Sequence, residues 1–291
     1  MGLLSDVMDQ TVVEQIGTIV GENNYSTRIA DRYTYGFDAS IHHVTPDVVV
    51  QPRSTEQVSR LVKLANKLGI PIVPRGAGTG LCGGAVPLKG GMVIDLTRMN
   101  RSEEVRVEDL YCVCEAGVVY DSLQKALAPY KFTFPPTPGS AEACTIGGMV
   151  ACNASGMRAV KYGGTRDYVL GLEVVLPTGE IIEVGTRTLK NASGYQLERL
   201  FVGSEGTLGI GDPRHGRGGC GSLRLDAPDL FDGLHRRLKG EDAHQAVQTD
   251  EPEEERDRGA ADHPCPERIH GLLPLLPHPC ELGLGCRHVS R

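Results

Sequence analysis

The sequence of 291 residues contains no tryptophan, no block of basic residues and no pair of cysteines spaced CxxC. A formal charge of −7 without a basic cluster argues against binding to a phosphate backbone, so we expect no nucleic-acid partner. Nine cysteines without the spacing of metal ligands argue against a disulfide framework, a zinc ribbon and an iron–sulfur centre. We therefore expect no metal site.

Long hydrophobic runs are also missing. No segment approaches the roughly 18–20 consecutive apolar residues that a membrane helix needs. Residues 1–10 lack the basic-then-apolar order of a secretory signal. We therefore expect a cytoplasmic protein without a transmembrane segment.

Residues with β-branched side chains become scarce after residue 210. Residues 1–210 contain 25 Val and 11 Ile, whereas residues 211–291 contain 2 Val and 1 Ile. Because strands favour β-branched side chains, we expect no sheet in 211–291 and assign the fold to the first 210 residues. This tail is expected to be irregular, either solvated and disordered or translated out of frame, with a short helix at 229–238 at most.

A strand, a helix and a second strand are expected after an N-terminal packing helix at 8–21. The apolar run at 47–51 predicts the first strand. The helix at 54–68 opens with the capping-box pattern STEQ and is closed by Gly69. The second strand is expected at 70–73. The two strands should be parallel and joined by a right-handed crossover.

The second strand is followed by the glycine-rich sequence PRGAGTGLCGG at 74–84. Glycines let the backbone turn with its N–H groups pointing inward, a geometry that holds a diphosphate, and Arg75 adds a cation. A Rossmann turn does not fit, although Asp95 stands at the distance of its acidic residue, because no helix fits between Gly80 and the strand at 92–96. A P-loop is excluded because no GK[ST] follows. A plain surface loop is the alternative for this segment taken alone.

Two further glycine-rich segments follow at 135–156 and 202–210. Within the first of them, 145–152 is small-sided and apolar and predicts a short helix whose N-terminal N–H groups face an anionic ligand. Strands at 170–176 and 180–184 flank a PTG turn and predict a hairpin. Together, the three glycine-rich segments indicate one elongated ligand contacted by several loops.

A family resemblance rests on four motifs that occur in order: PRGAGTGLCGGAVP, TPGSAEACTIGGMVACNASG, KYGGTRDYVLGLEVVLPTGE and FVGSEGTLGI. They resemble the FAD-linked oxidases of the vanillyl-alcohol oxidase type, in the branch of glycolate oxidase and D-lactate dehydrogenase. The resemblance runs from about residue 33 to residue 210. It implies an α+β fold, with a PCMH-type FAD-binding domain of two α+β subdomains. The implied divisions are 1–46 for the N-terminal helix and extended segment, 47–210 for the domain, 47–98 and 105–210 for its subdomains, and 211–291 for a largely irregular tail.

The resemblance also implies that FAD is the cofactor and indicates which residues contact it. Carried over by motif position, the expected FAD contacts are Arg75, Gly76, Ala77, Gly78, Thr79, Gly80, Leu81, Gly139, Ser140, Thr145, Gly148, Ser155, Gly156, Gly206 and Ile210. The first loop lacks the histidine through which some members attach flavin, so we expect FAD to be bound non-covalently. Cys144 lies near a second attachment point, one residue out of register, and is interpreted as a buried structural thiol. Cys112 and Cys114 share a strand face, where core packing is expected. Arg166 either approaches the cofactor or pairs with Asp167.

The activity implied by the resemblance is oxidation of a 2-hydroxy acid, of the glycolate or D-lactate type, to a 2-keto acid by hydride transfer to flavin N5. The implied partners are that acid and an electron-acceptor subunit or quinone. The family's substrate domain, with its catalytic histidine and GDGN motif, has no counterpart after residue 210. We therefore expect a chain truncated after the FAD domain, and its catalytic residues are unknown. The alternatives are a non-catalytic FAD-binding or subunit-interaction remnant, and an unstable fragment that binds nothing.

Overall fold

The computed structural model describes residues 8–188, 190–212 and 222–224, all within the first of the two units, Met1–Asp242 and Ala243–Arg291, into which the chain divides. The helices are α1 (Gln10–Val20), α2 (Ile29–Thr34), α3 (Thr55–Leu68), α4 (Tyr120–Leu127), α5 (Ile146–Cys152), α6 (Ala159–Tyr162) and α7 (Leu197–Phe201). The strands are β1 (Tyr25–Ser26), β2 (Val48–Val50), β3 (Ile72–Arg75), β4 (Met92–Asp95), β5 (Ser102–Arg106), β6 (Tyr111–Cys114), β7 (Gly171–Val175), β8 (Ile181–Gly185), β9 (Ile210–Asp212) and β10 (Ser222–Arg224). Short 3-10 helices occupy Leu96–Arg98, Ala128–Tyr130 and Thr165–Asp167.

Local side chains set the ends of α1 and α3, the two helices predicted first. The Asp9 carboxylate accepts a backbone N–H of the first turn of α1. The Ser54 hydroxyl accepts the N–H of Gln57, and Gly69 ends α3 in the left-handed conformation. The reciprocal bond of the capping box is shifted by one residue, because Gln57 Oε1 accepts the N–H of Arg53 at 2.7 Å. Both predicted helices are confirmed.

The first sheet has the strand order β1-β2-β4-β3. Strands β2 and β3 both pair parallel with β4, so they run in the same direction as predicted. They are not neighbours, because the fully buried β4 lies between them. No helix forms at 76–91 between β3 and β4, also as predicted. This order places the carboxyl ends of β3 and β4 side by side, with Arg75 opposite Asp95.

Two antiparallel sheets make up the rest of the described fold. Strand β6 lies between β5 and β10, and β7 lies between β8 and β9. The β7–β8 pair is the predicted hairpin. Cys112 and Cys114 of β6 are both fully buried in the same hydrophobic core, which confirms their expected packing role.

The expectation that no strand follows residue 210 is wrong. Strand β9 runs to Asp212 and pairs with β7, and Ser222–Arg224 pairs antiparallel with β6. The edges of β6 and β7 offer backbone groups that need hydrogen-bond partners, and main-chain pairing does not require β-branched side chains. Leu223 also supplies a fully buried side chain to the core. The helix expected at 229–238 lies outside the described residues.

The described residues form two large hydrophobic cores. One packs α1 and α3 against the first sheet, with Ile16, Leu61 and Ile94 fully buried. The other packs α4 and α5 against β6 and β7 and includes the fully buried Phe134 and Leu172. In the described part of the chain, no helix has the length and apolar character to cross a membrane.

Candidate functional site

A cavity of about 360 Å³ lies where the three glycine-rich segments meet. Its lining comes from residues 74–85 after β3, from 138–154 around α5 and from 204–211 before and within β9. Four apolar residues from other parts of the fold also line it: Leu96, Ala116, Leu172 and Phe201. The volume lies within the range of small-molecule sites. Three segments that are far apart in sequence therefore share one site.

Most of the residues singled out from the sequence line this cavity. They are Arg75, Gly76, Ala77, Gly78, Thr79, Gly80, Leu81, Ser140, Thr145, Gly148, Gly206 and Ile210. Gly139, Ser155 and Gly156 are not among the lining residues. Gly139 is exposed, and no atom lies within 4 Å of the position that a Cβ would take there. Gly156 has a packing role, because a Cβ there would overlap the backbone carbonyl of Thr137.

The glycine-rich loop, residues 76–85, presents unused donors to the cavity. The backbone N–H groups of residues 76–82 donate no hydrogen bond to any other described residue. Gly78 has a φ of +69°, a conformation that side chains disfavour. A run of consecutive free N–H groups in a turning backbone is an anion-binding concavity. The loop therefore has the donors that a diphosphate requires.

The start of α5 differs from the expectation that its N–H groups face an anion. The N–H of Ile146 donates to the carbonyl of Val118, and the N–H of Gly147 donates to the carbonyl of Ala116, both at 2.8 Å. The N–H of Gly148 donates to Thr145 Oγ1 at 3.3 Å. These donors are already used, so that prediction is wrong. The helix contributes small and apolar surface to the cavity rather than an anion site.

Close backbone packing explains the small residues at which the segments meet. A Cβ at Gly76 would overlap Thr145 Oγ1, and a Cβ at Gly206 would lie 2.7 Å from Pro74 Cγ. A Cβ at Gly147 would lie 2.7 Å from the Cβ of Ala116. Glycine therefore lets the three walls approach one another.

The third glycine-rich segment is fastened directly to the end of α5. The N–H of Gly203 donates to the carbonyl of Val150, and the N–H of Glu205 donates to that of Ala151, both at 2.9 Å. Glu205 holds a positive φ of 52°, which is uncommon outside glycine. These two bonds place residues 204–206 along the wall of the cavity.

Arg75 stands at the end of β3 with only 8% of its surface exposed. Its guanidinium lies 5.5 Å from the centroid of the Tyr35 ring. Tyr35 donates to Asp95 Oδ2 at 2.8 Å. Burial and the neighbouring Asp95 carboxylate raise the pKa of Tyr35 to about 12. Tyr35 was not identified from the sequence, because it stands 60 positions away from Asp95 and in no motif.

Three cysteine thiols line the cavity: Cys82, Cys144 and Cys152. Cys144 is 5% exposed within the second core, where burial raises its pKa, in keeping with a structural thiol. Cys82 and Cys152 are exposed. Burial of the sulfur and the nearby Glu205 carboxylate raise the pKa of Cys152. All three thiols are carried by the segments that form the walls.

Arg166 does not pair with Asp167, and it is not among the residues that line the cavity. Its guanidinium donates to the carbonyl of Val202 at 2.8 Å, and its backbone N–H donates to Asn153 Oδ1. The Asp167 carboxylate instead accepts the N–H of Gly164. Arg166 therefore stabilises the segment that contains Val202, next to the cavity, but does not line the cavity.

Comparisons of the sequence and of the fold with known proteins agree with one another. Residues 46–185 match the family described as FAD binding domain. The chain is 42% identical over 205 residues to glycolate oxidase subunit GlcD of Bacillus subtilis (strain 168), a match that covers 70% of this chain and 44% of that protein. It is 48% identical over 181 residues to D-lactate dehydrogenase of Archaeoglobus fulgidus, covering 60% and 40%. Among solved structures, alkyldihydroxyacetonephosphate synthase superposes with a TM-score of 0.65 at 26% identity, covering 76% of this chain and 41% of that one.

The chain therefore contains an FAD-binding domain, whose cofactor is FAD, and its sequence is similar to FAD-linked oxidoreductases. Among them its similarity is to the glycolate oxidase and D-lactate dehydrogenase branch. The α+β class expected from the sequence is confirmed. The chain spans about two fifths of the length of the curated relatives it matches.

Proposed function

We propose that FAD binds non-covalently in the cavity, with its diphosphate against the glycine-rich loop. The observation that carries this proposal is the run of seven unused backbone N–H groups at 76–82. Within this run Gly76, Gly78, Thr79 and Gly80 are half-buried. Half-buried N–H groups normally have partners, so their lack of one among the described residues indicates that a ligand supplies the acceptors. Two negative phosphates linked by one oxygen match consecutive donors of this kind.

The remaining walls suit the uncharged parts of the cofactor. Met149, Val150, Leu172 and Phe201 offer apolar surface to a flat aromatic ring system. The twelve predicted contacts that line the cavity are retained as proposed FAD contacts, within a domain that we place at 47–210. The loop offers no histidine for a covalent bond.

The reaction that we propose for the whole protein is oxidation of a 2-hydroxy acid to a 2-keto acid. Relatives named for glycolate and D-lactate support this substrate class. Bound FAD would supply the hydride acceptor for this oxidation, at N5. The chain's own residues bind and orient it, and apolar side chains such as Phe201 exclude water from the ring. An electron-acceptor subunit or a quinone is the proposed partner for reoxidation.

FAD binding without turnover is the second candidate function. Burial raises the pKa of Cys144 and Cys152, so these two thiols are protonated at neutral pH. A protonated thiol cannot act as the base that removes the hydroxyl proton of the substrate. The base for that proton is therefore neither of these two lining thiols.

Titration of the purified apoprotein with FAD, followed by anaerobic dye reduction, separates these candidates. Quenching of flavin fluorescence reports binding, and D-lactate or glycolate then tests for reduction. Binding with reduction supports the oxidoreductase, and binding without reduction supports the second candidate. An absence of FAD binding by folded protein would contradict both. Flavin that stays with the protein after denaturing electrophoresis would contradict the non-covalent assignment.

A further inference from the structure

Arg75 lines the cavity, and its guanidinium also contacts the glycine-rich loop and the segment that contains Phe37. Its Nη1 donates to the carbonyl of Phe37 at 2.7 Å and to the carbonyl of Ala85 at 3.4 Å. Ala85 is the last residue of the loop. In the middle of the loop, a Cβ at Gly78 would overlap Arg75 Nη2. The side chain therefore contacts its own loop at the middle and at the end, and ties it to the segment that contains Phe37.

A fixed carboxylate stands beside this guanidinium. Asp95 is 1% exposed and lies opposite Arg75 in the parallel register. Its Oδ2 accepts from Tyr35 at 2.8 Å and from Gln51 Nε2 at 2.7 Å. Its Oδ1 accepts the N–H of Thr97 at 2.9 Å. Because both oxygens are held, the negative charge has one position, and the Tyr35 ring beneath the guanidinium is held with it.

Negative groups near Arg75 offset part of its charge. The carboxylates of Asp95 and Asp38 both act on the guanidinium. Although burial works against ionisation of Asp38, hydrogen bonds, chiefly from Ser40, hold its pKa below the usual value. Asp38 Oδ2 is buried and has no hydrogen-bond partner among the described residues. Two carboxylates therefore weaken the attraction of the guanidinium for a bound anion.

We propose that Arg75 is a positioning residue, which shapes the glycine-rich loop from inside, and that the loop N–H groups rather than the guanidinium carry the diphosphate. Tyr35, Gln51 and Asp95 act through Arg75 by fixing its place. This inference rests on the proposed FAD site. It differs from the expectation that Arg75 adds a cation, because the planar guanidinium lies over the Tyr35 ring, reaches two carbonyls through Nη1 and packs Nη2 beside Gly78, which a compact ammonium cannot do.

Arg75→Lys and Arg75→Gln separate the two roles, with Arg60→Lys on the exposed face of α3 as the control. The readouts are the Kd for FAD from flavin fluorescence at several KCl concentrations, and amide hydrogen exchange at 83–86 in the apoprotein, where the N–H of Val86 donates to the carbonyl of Gly83. A positioning role predicts that both Arg75 variants raise Kd by about tenfold or more, since lysine lacks the planar guanidinium. It also predicts faster exchange at 83–86 before any FAD is added.

A direct cation role predicts the opposite pattern. Arg75→Lys would then restore the affinity to within about threefold of the unsubstituted chain, since lysine keeps the charge. Arg75→Gln would weaken the salt dependence of Kd because one screened ion pair is lost. Exchange at 83–86 in the apoprotein would not change. Any of these three results would overturn the proposal.

A measurement on the unsubstituted chain tests the proposal even if the Arg75 variants fail to fold. Phenylglyoxal modifies accessible arginines, and peptide mass spectrometry reports each site separately. The enclosed guanidinium of Arg75 should stay unmodified both with and without FAD, while the exposed Arg60 reacts in both states. Modification of Arg75 in the apoprotein that FAD prevents would show an open cation and overturn the proposal. Because the apoprotein readouts need no FAD, a failure of the proposed FAD site would be recognised separately, by an absence of binding.

Discussion

Replacing Gly76 with alanine tests the contact that joins the glycine-rich loop to α5. The new Cβ would overlap Thr145 Oγ1 but lie 3.5 Å from Thr145 Cβ, so the clash is confined to the hydroxyl. That hydroxyl caps α5 by accepting the N–H of Gly148. For the methyl group to fit, the hydroxyl must turn away and the cap is lost, which costs about 1 kcal/mol. Thr145 is 2% exposed, so its displaced hydroxyl is left without water and adds about 1 kcal/mol more.

The expected destabilisation by Gly76→Ala is therefore about 1–2 kcal/mol, or several degrees in Tm for a domain of this size. Urea unfolding of the apoprotein, followed by circular dichroism, measures it. In a Thr145→Ala background the obstructing oxygen is absent, so the same substitution should cost close to nothing. Gly139→Ala is the matched control, since a Cβ there meets no atom within 4 Å. Equal costs of Gly76→Ala in the two backgrounds, or an equal cost at Gly139, would refute this reasoning.

Three further predictions concern reactivity, pH and packing. FAD should slow alkylation of Cys82 and Cys152, which line the cavity. Cys112 should stay unreactive with or without FAD, because burial raises its pKa to about 12. Peptide mass spectrometry measures the three alkylation rates, and equal rates would disprove the prediction. The Tyr35 phenol stays protonated in the folded chain up to about pH 12 but ionises near pH 10 when unfolded, so its contribution to stability is complete below pH 10 and lost between pH 10 and 12. Urea unfolding of Tyr35→Phe should show a shallower loss over that interval, and parallel pH curves would count against the network. Gly147→Ala should cost about 1–3 kcal/mol in the same unfolding assay, because the new methyl group would meet Ala116 at 2.7 Å; a cost below about 0.5 kcal/mol would show that the wall can move.

Features specified by neighbouring residues could be predicted from the sequence. The caps at Asp9 and Ser54 and the helix end at Gly69 depend on side chains within one turn of the backbone that they satisfy. The hairpin of β7 and β8 depends on a short turn. The glycine-rich segments were recognisable because backbone proximity to a ligand or to another segment excludes side chains. The boundaries at 47–98 and 105–210 stay predictions.

Features specified by distant residues could not be predicted in this way. The N–H of Gly147 is satisfied by the carbonyl of Ala116, which belongs to the segment after β6, and no local pattern shows that pairing. Gly156 looked like a ligand contact because packing against the carbonyl of Thr137 also requires glycine. Asp95 had a recognisable position in the sequence, yet its partners Tyr35 and Gln51 come from earlier segments. Tertiary context decided each of these outcomes.

The strand Ser222–Arg224 shows that amino-acid composition also could not predict every element of the fold. A scarcity of valine and isoleucine reflects side-chain preferences averaged over many residues. Three residues that complete the edge of β6 need only main-chain groups and one apolar side chain, which Leu223 provides. Composition therefore identified where the family resemblance ends but not where the last described strand lies.

Amide hydrogen exchange with and without FAD tests most directly whether the three glycine-rich segments form one cofactor site. The free N–H groups of 76–82 should exchange quickly in the apoprotein and become protected when FAD supplies their acceptors. Peptides that contain 144–152 and 204–211 should gain protection at the same FAD concentration, since they line the same cavity. FAD bound with exchange at 76–82 unchanged would contradict the account.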